Sequence, residues 1–182
     1  MRLESSNLVV ITGGPGAGKT TMLGELERRG FNCVPEVARG IIQEQMRSGG
    51  NALPWADTDR YCRLMLERSV ASFRENHPAY TLTFCDRGIP DTLCAARLLR
   101  VTWEREILAA CRSYRYATRV FLAPPWRDIY ETDEERKQTY EEAVRTSALL
   151  AQIYQDCGYE VVEIPKVSPA RRVEFLLKQI AV

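Results

Sequence analysis

Leu8-Val-Val-Ile-Thr12-Gly13-Gly-Pro-Gly-Ala-Gly-Lys19-Thr20 is the stretch that decides the architecture. Leu8–Thr12 is a short β-branched apolar run, the pattern of a strand buried on both faces. Residues 13–20 satisfy G-x-x-x-x-G-K-[ST] at every fixed position. They fall between that strand and a helical pattern over 19–29. Glycines let such a loop curl so that several backbone N–H groups point inward onto phosphate oxygens, and the helix N-terminus adds partial positive charge. Gly13, Gly14, Pro15, Gly16, Ala17, Gly18, Lys19, Thr20 and Thr21 are therefore the candidate nucleotide-binding residues. In that role Lys19 reaches the β- and γ-phosphates and the Thr20 hydroxyl ligates Mg²⁺. The motif is specific for nucleotide phosphates but leaves kinase, ATPase and GTPase open.

Working outward, apolar runs over 31–36, 80–85, 118–123 and 159–164 read as four further strands. Helical spacing predicts helices over 37–47, 57–75, 90–99 and 103–114, a long helix ending before Gly158, and a final helix after Ser168-Pro169. Thr132-Asp-Glu-Glu135 matches a capping box and predicts the start of the long helix, with Tyr140, Val144, Ser147, Ala151 and Tyr154 along one face. Alternation of strands and helices implies an α/β fold, a mainly parallel sheet covered on both sides. With no repeat, low-complexity tract or linker, residues 1–182 read as a single domain, with a lid at 126–137 as an expectation.

A second constellation sits at strand ends, where ligands collect in open α/β sheets. Asp86 closes the 80–85 strand and is a candidate Mg²⁺ carboxylate; Arg87 would hold an acceptor or screen phosphate charge, and the bland alternative is a surface ion pair. Glu36 closes the 31–36 strand. It reads either as a general base for an acceptor hydroxyl or as a negative charge favouring a helix N-terminus. Arg39 is an acceptor contact or a solvated residue. Arg127, Arg136 and Lys137 flank the polar stretch after the fourth strand, and Arg136 is the candidate to reach the transferring phosphoryl group. Trp55 and Asp57 either line an acceptor pocket or, for the Trp, anchor packing. Asp91 reads as a charge complementing a helix dipole, and His77 has no assigned role.

Composition narrows the class. Lys and Arg number 25 against 24 Asp and Glu, a balance that gives no reason to expect a nucleic acid or an anionic membrane as partner. The six cysteines form no CxxC pair and His77 is the lone histidine, which excludes a zinc site of the usual spacing. Absence of a signal-like segment and of a long apolar span makes a cytoplasmic protein the expectation.

The motif at 13–20, Pro35-Glu36-Val-Ala-Arg39, Asp86-Arg87-Gly88-Ile-Pro-Asp91 and Phe121-Leu-Ala-Pro-Pro-Trp126 together resemble the AAA-domain family of predicted ATPases. That family is similar to P-loop kinases, including the bacterial nicotinamide riboside kinase domain. The resemblance implies a three-layer P-loop NTPase fold whose five strands run in the order 2-3-1-4-5. It also matches Asp86-Arg87 to the acidic-plus-Arg motif of nucleoside and thymidylate kinases, with Gly88 standing where those kinases carry Tyr or Ser.

The leading expectation is phosphoryl transfer from Mg·ATP, with GTP possible, to a small hydroxyl-bearing, nucleoside-like acceptor. The catalytic set is Lys19, Glu36, Asp86, Arg87 and Arg136, with Thr20 and Asp86 on the metal. The alternative is an ATP- or GTP-hydrolysing regulatory switch with a protein partner. No Asn-Lys-x-Asp guanine-reading segment is present.

Overall fold

The computed structural model describes residues 2–77, 80–130 and 139–180. Five strands form the main sheet: β2 (Leu8–Thr12), β3 (Asn32–Val34), β4 (Thr83–Asp86), β6 (Arg119–Leu122) and β7 (Glu160–Glu163). All pairings are parallel and the spatial order is β3-β4-β2-β6-β7, which is 2-3-1-4-5 when these five strands are counted along the chain. Outside this sheet β1 (Leu3–Glu4) pairs in parallel with β5 (Tyr114–Arg115). These strands have two residues each, too short for an alternation pattern to register in sequence.

The central strand β2 shows why the sheet has two covers. Successive side chains of a strand face opposite sides. Leu8 and Val10 enter one apolar cluster with Ile41, Met65, Leu93 and Ile107, while Val9 and Ile11 enter another with Leu26 and Leu176. The first cluster is supplied by α2 (Val37–Ser48), α3 (Thr58–Asn76), α4 (Ile89–Leu98), α5 (Glu104–Ser113) and α6 (Tyr140–Asp156). The second is supplied by α1 (Lys19–Arg28) and α7 (Pro169–Ile180). Burial of each such Val, Leu or Ile stabilises the fold by about 1.5–3 kcal/mol. Both faces of β2 are therefore committed to core, and only its C-terminal end can serve a ligand.

Helix starts follow local chemistry. Asp57, considered for the acceptor pocket, caps α3 by accepting from Arg60 N at 3.0 Å. The capping box expected at Thr132–Glu135 lies outside the described residues. A capping box does open α6, built from Thr139 and Glu142. Its buried face is Ala143, Thr146, Ser147, Leu150, Ile153 and Tyr154, about one residue away from the expected stripe; Val144 is exposed. Among the described residues no helix is long and apolar enough to cross a membrane.

Candidate nucleotide and acceptor cleft

The loop after β2 turns through left-handed backbone at Gly16 (φ 68°) and Gly18 (φ 76°). A side chain at Gly16 would also sit 2.6 Å from the Tyr130 ring, so glycine is required there twice over. Lys19 opens α1, and its Nζ donates to the carbonyls of Gly13 and Gly14, each at 3.0 Å. This folds the ammonium back over its own loop. Burial, followed by the charge of Arg87, brings Lys19 down to about 8; Asp86, Glu36 and Asp91 oppose that shift. Thr20 and Thr21 are exposed at the mouth of the loop.

Register places Asp86 at the phosphate loop. Ile11 of β2 pairs with Asp86 of β4, two residues before the loop begins at Gly13. Asp86 is buried, and its Oδ1 has no hydrogen-bond partner among the described residues. Desolvation raises its pKa, while Lys19 pulls the other way. The surface ion-pair alternative for Asp86 does not describe this geometry. Asp86 feels the charge of Lys19, the residue before Thr20. An unsatisfied carboxylate oxygen and a threonine hydroxyl are donor types that fit Mg²⁺, which takes carboxylate and hydroxyl oxygens together with water and phosphate.

Arg87 has left-handed backbone (φ 73°), an uncommon state for a side-chain-bearing residue. Two carboxylates hold its guanidinium: Glu36 Oε1 accepts from Nε at 2.7 Å and Asp91 Oδ1 from Nη1 at 2.9 Å. Glu36 occupies the N-cap position of α2, yet its side chain makes no capping hydrogen bond. It is turned to Arg87 instead.

Asp91 is the residue that sequence reading undervalued. Only 5% exposed, it accepts from Thr12 Oγ1 at 2.7 Å, Gly88 N at 3.0 Å and Tyr154 OH at 2.6 Å as well as from Arg87. It thus ties β2, α4 and α6 to the Arg87–Glu36 pair. Gly88 fits the same crowding. A Cβ there would lie 2.9 Å from Tyr154 OH and 3.1 Å from the Tyr116 ring, so the bulkier residue of the nucleoside-kinase motif has no room.

These elements border a cleft of about 960 Å³ that runs from the phosphate loop past Glu36 and Arg87. Much of its lining is apolar, including Ile42, Met46, Trp55, Met65, Cys94 and Leu98. Trp55 is 60% exposed and borders this cleft, so the packing-anchor alternative does not hold. Arg39 lines the cleft as well. Arg127 instead lies over the Tyr140 ring at 5.0 Å, and Arg136, Lys137 and most of the expected 126–137 lid lie outside the described residues.

A family model described as AAA domain matches residues 8–172. The chain belongs to that family. This AAA-domain chain has no match among curated proteins. Among solved structures it is similar to a NadR protein in complex with NR (16% identity, TM-score 0.77), covering 97% of this chain and 52% of that one. The chain thus spans about half the length of the NadR protein. It also resembles deoxyadenosine kinase from M. mycoides with products dCMP and a flexible dCDP bound (13% identity, TM-score 0.65; 96% and 98% covered). Shikimate kinase from Acinetobacter baumannii in complex with shikimate is a third (15% identity, TM-score 0.54; 96% and 93% covered). At such identities the likeness establishes a shared P-loop kinase fold.

Proposed function

We propose that this protein, acting as one domain, is a kinase that moves the γ-phosphoryl group of Mg·ATP onto a hydroxyl of a small nucleoside-like acceptor. The observation that carries this reading is the cleft: one cavity is lined by the phosphate loop, by Glu36 and Arg87, and by apolar residues of α2, α3 and α4 that lie outside that loop. A switch that only hydrolyses nucleotide has no use for a cavity that reaches so far beyond the phosphate loop. A volume of about 960 Å³ lies at the upper end of the range for small-molecule pockets, which suits two ligands end to end. The exposed Trp55 indole in the lining of this cavity supports an acceptor with a flat ring.

In this reading the residues act by position and charge. Residues 13–20 cradle the phosphates through backbone N–H groups, and Lys19 exchanges its two loop carbonyls for phosphate oxygens. Mg²⁺, held by Thr20 and Asp86, would supply neutralisation of phosphate charge. Glu36, oriented by Arg87, accepts the hydroxyl proton of the acceptor. An anionic acceptor would meet Glu36 unfavourably, which favours an alcohol over a phosphate.

ADP formation from Mg·ATP, measured against a set of nucleosides and other small alcohols, tests this. The expected result is turnover stimulated by one acceptor class, with the phosphorylated product identified by mass. Slow hydrolysis that depends on Lys19 but responds to no acceptor would replace the kinase with the nucleotide switch.

A further inference from the structure

The described residues place one more cation against the phosphate loop, and it comes from the far end of the chain. Arg172, in the first turns of α7, is 2% exposed. Its Nη1 donates to the carbonyl of Ala17 at 2.9 Å, while Nε and Nη2 have no hydrogen-bond partner among the described residues. No carboxylate pairs with it among the described residues. Burial pulls its pKa below the usual guanidinium range. A buried charge without a counter-charge is unfavourable, so a structural strut alone is a poor account of an arginine here. An apolar side chain would fill the space between α1 and α7 at lower cost.

The bond to Ala17 has a directional consequence. In a trans peptide the C=O and the following N–H point to opposite sides. With the Ala17 carbonyl drawn toward Arg172, the N–H of Gly18 faces away from it. Ala17, Gly18 and Lys19 line the cleft and Arg172 does not, so that opposite side is the cleft. Gly18 is left-handed (φ 76°, ψ 23°), and an added Cβ would stand 2.9 Å from Arg172 Nη1, so loop and arginine fit closely.

We propose that Arg172 is a positioning residue for the nucleotide phosphates, its bond to Ala17 O aiming the Gly18 N–H into the cleft and its charge finding a counter-charge when a polyphosphate fills the loop. The inference rests on reading residues 13–20 as the phosphate site. It makes the C-terminal helix a part of the nucleotide site, coupled to it from beneath. Lys19 works on the phosphates directly; Arg172 works through the backbone.

The test uses R172M and R172K in the full chain, with Mg·ATP as probe. Dissociation constants come from calorimetry, and melting temperatures are taken with and without nucleotide. R172M removes an uncompensated buried charge, so nucleotide-free melting does not fall, yet Mg·ATP binding weakens about 10- to 100-fold, the range for losing a hydrogen bond from a charged donor. R172K keeps a charged donor toward Ala17 and recovers most of the affinity. Opposite signs for stability and affinity are something a merely structural arginine cannot give. The inference is overturned if R172M binds Mg·ATP as tightly as the wild type, if R172K is as weak as R172M, or if affinity in both variants falls only in step with nucleotide-free stability. A wild-type protein that binds no nucleotide would remove the phosphate-site reading itself, and this inference with it.

Discussion

Replacing Asp91 by Asn keeps the size of the side chain and changes one oxygen into an NH₂ group. Both oxygens of Asp91 are occupied by donors: Oδ1 by Thr12 and Arg87, Oδ2 by Gly88 N and Tyr154 OH. The hydroxyl protons of Thr12 and Tyr154 can rotate away; the Gly88 N–H and the Arg87 guanidinium cannot. Whichever way the amide is turned, its NH₂ meets one fixed donor. The variant therefore loses a hydrogen bond to a charged group and leaves a buried donor unsatisfied. At about 1.5–3 and 1–3 kcal/mol, these losses sum to about 4 kcal/mol. For a chain of this length that is a fall in melting temperature of about 8–16 °C. Tyr154→Phe removes a single donor and should cost about 2 kcal/mol. Because both changes act on one carboxylate, the double variant should lose less than the sum of the two. Thermal melts followed by circular dichroism measure all three. An Asp91→Asn protein melting with the wild type, or strict additivity in the cycle, would refute the assignment of Asp91 as the common acceptor of this network.

Three further outcomes are expected. Asp86 is raised by burial above its unfolded value, so its charged form is disfavoured in the fold and costs stability as pH rises through that raised value. Asp86→Asn should then melt no lower than wild type at neutral pH while Mg²⁺-dependent turnover collapses, and an unchanged Mg²⁺ titration of activity would return this carboxylate to a structural role. Glu36→Gln should slow acceptor-dependent ADP release about 10²- to 10⁴-fold with Mg·ATP affinity nearly constant; normal turnover in this variant rules out Glu36 as the base. Lys19, depressed to about 8, sheds its proton in the free protein as pH rises past that value, whereas bound phosphates would retain it. Mg·ATP affinity should fall by up to about tenfold per pH unit above about 8, with proton uptake on binding, while nucleotide-free stability rises between about 8 and the unfolded value of 10.5. Calorimetry in buffers of different ionisation enthalpy detects that uptake; pH-independent affinity would mean that Lys19 keeps its proton throughout.

The features legible in the residues alone are local or strictly periodic. Leu8–Thr12 is read correctly to the residue because β-branched apolar residues in a five-residue run leave a buried strand as the simplest solution. Lys19 begins its helix as the motif requires, and five strands separated by helices are enough to imply a parallel sheet with two covers. The strand order came from resemblance to a family, and the register confirms it. Tertiary structure decided everything that depends on distant partners. Asp91 meets Thr12 and Tyr154 across 79 and 63 residues of chain, and Arg172 meets Ala17 across 155. No spacing rule links such positions, so a hub carboxylate looks like a helix-start charge and a buried arginine like a solvated one. For α6, apolar residues at 143, 144 and 148–151 allow two neighbouring stripes of helical period. Periodicity fixes that a face exists, but the packing neighbours fix its phase, and α4 together with β7 selects the stripe ending in Ile153 and Tyr154. Trp55 followed the same logic: a lone loop tryptophan gives no sign of whether its surface will be covered, and only the assembled cleft left it open.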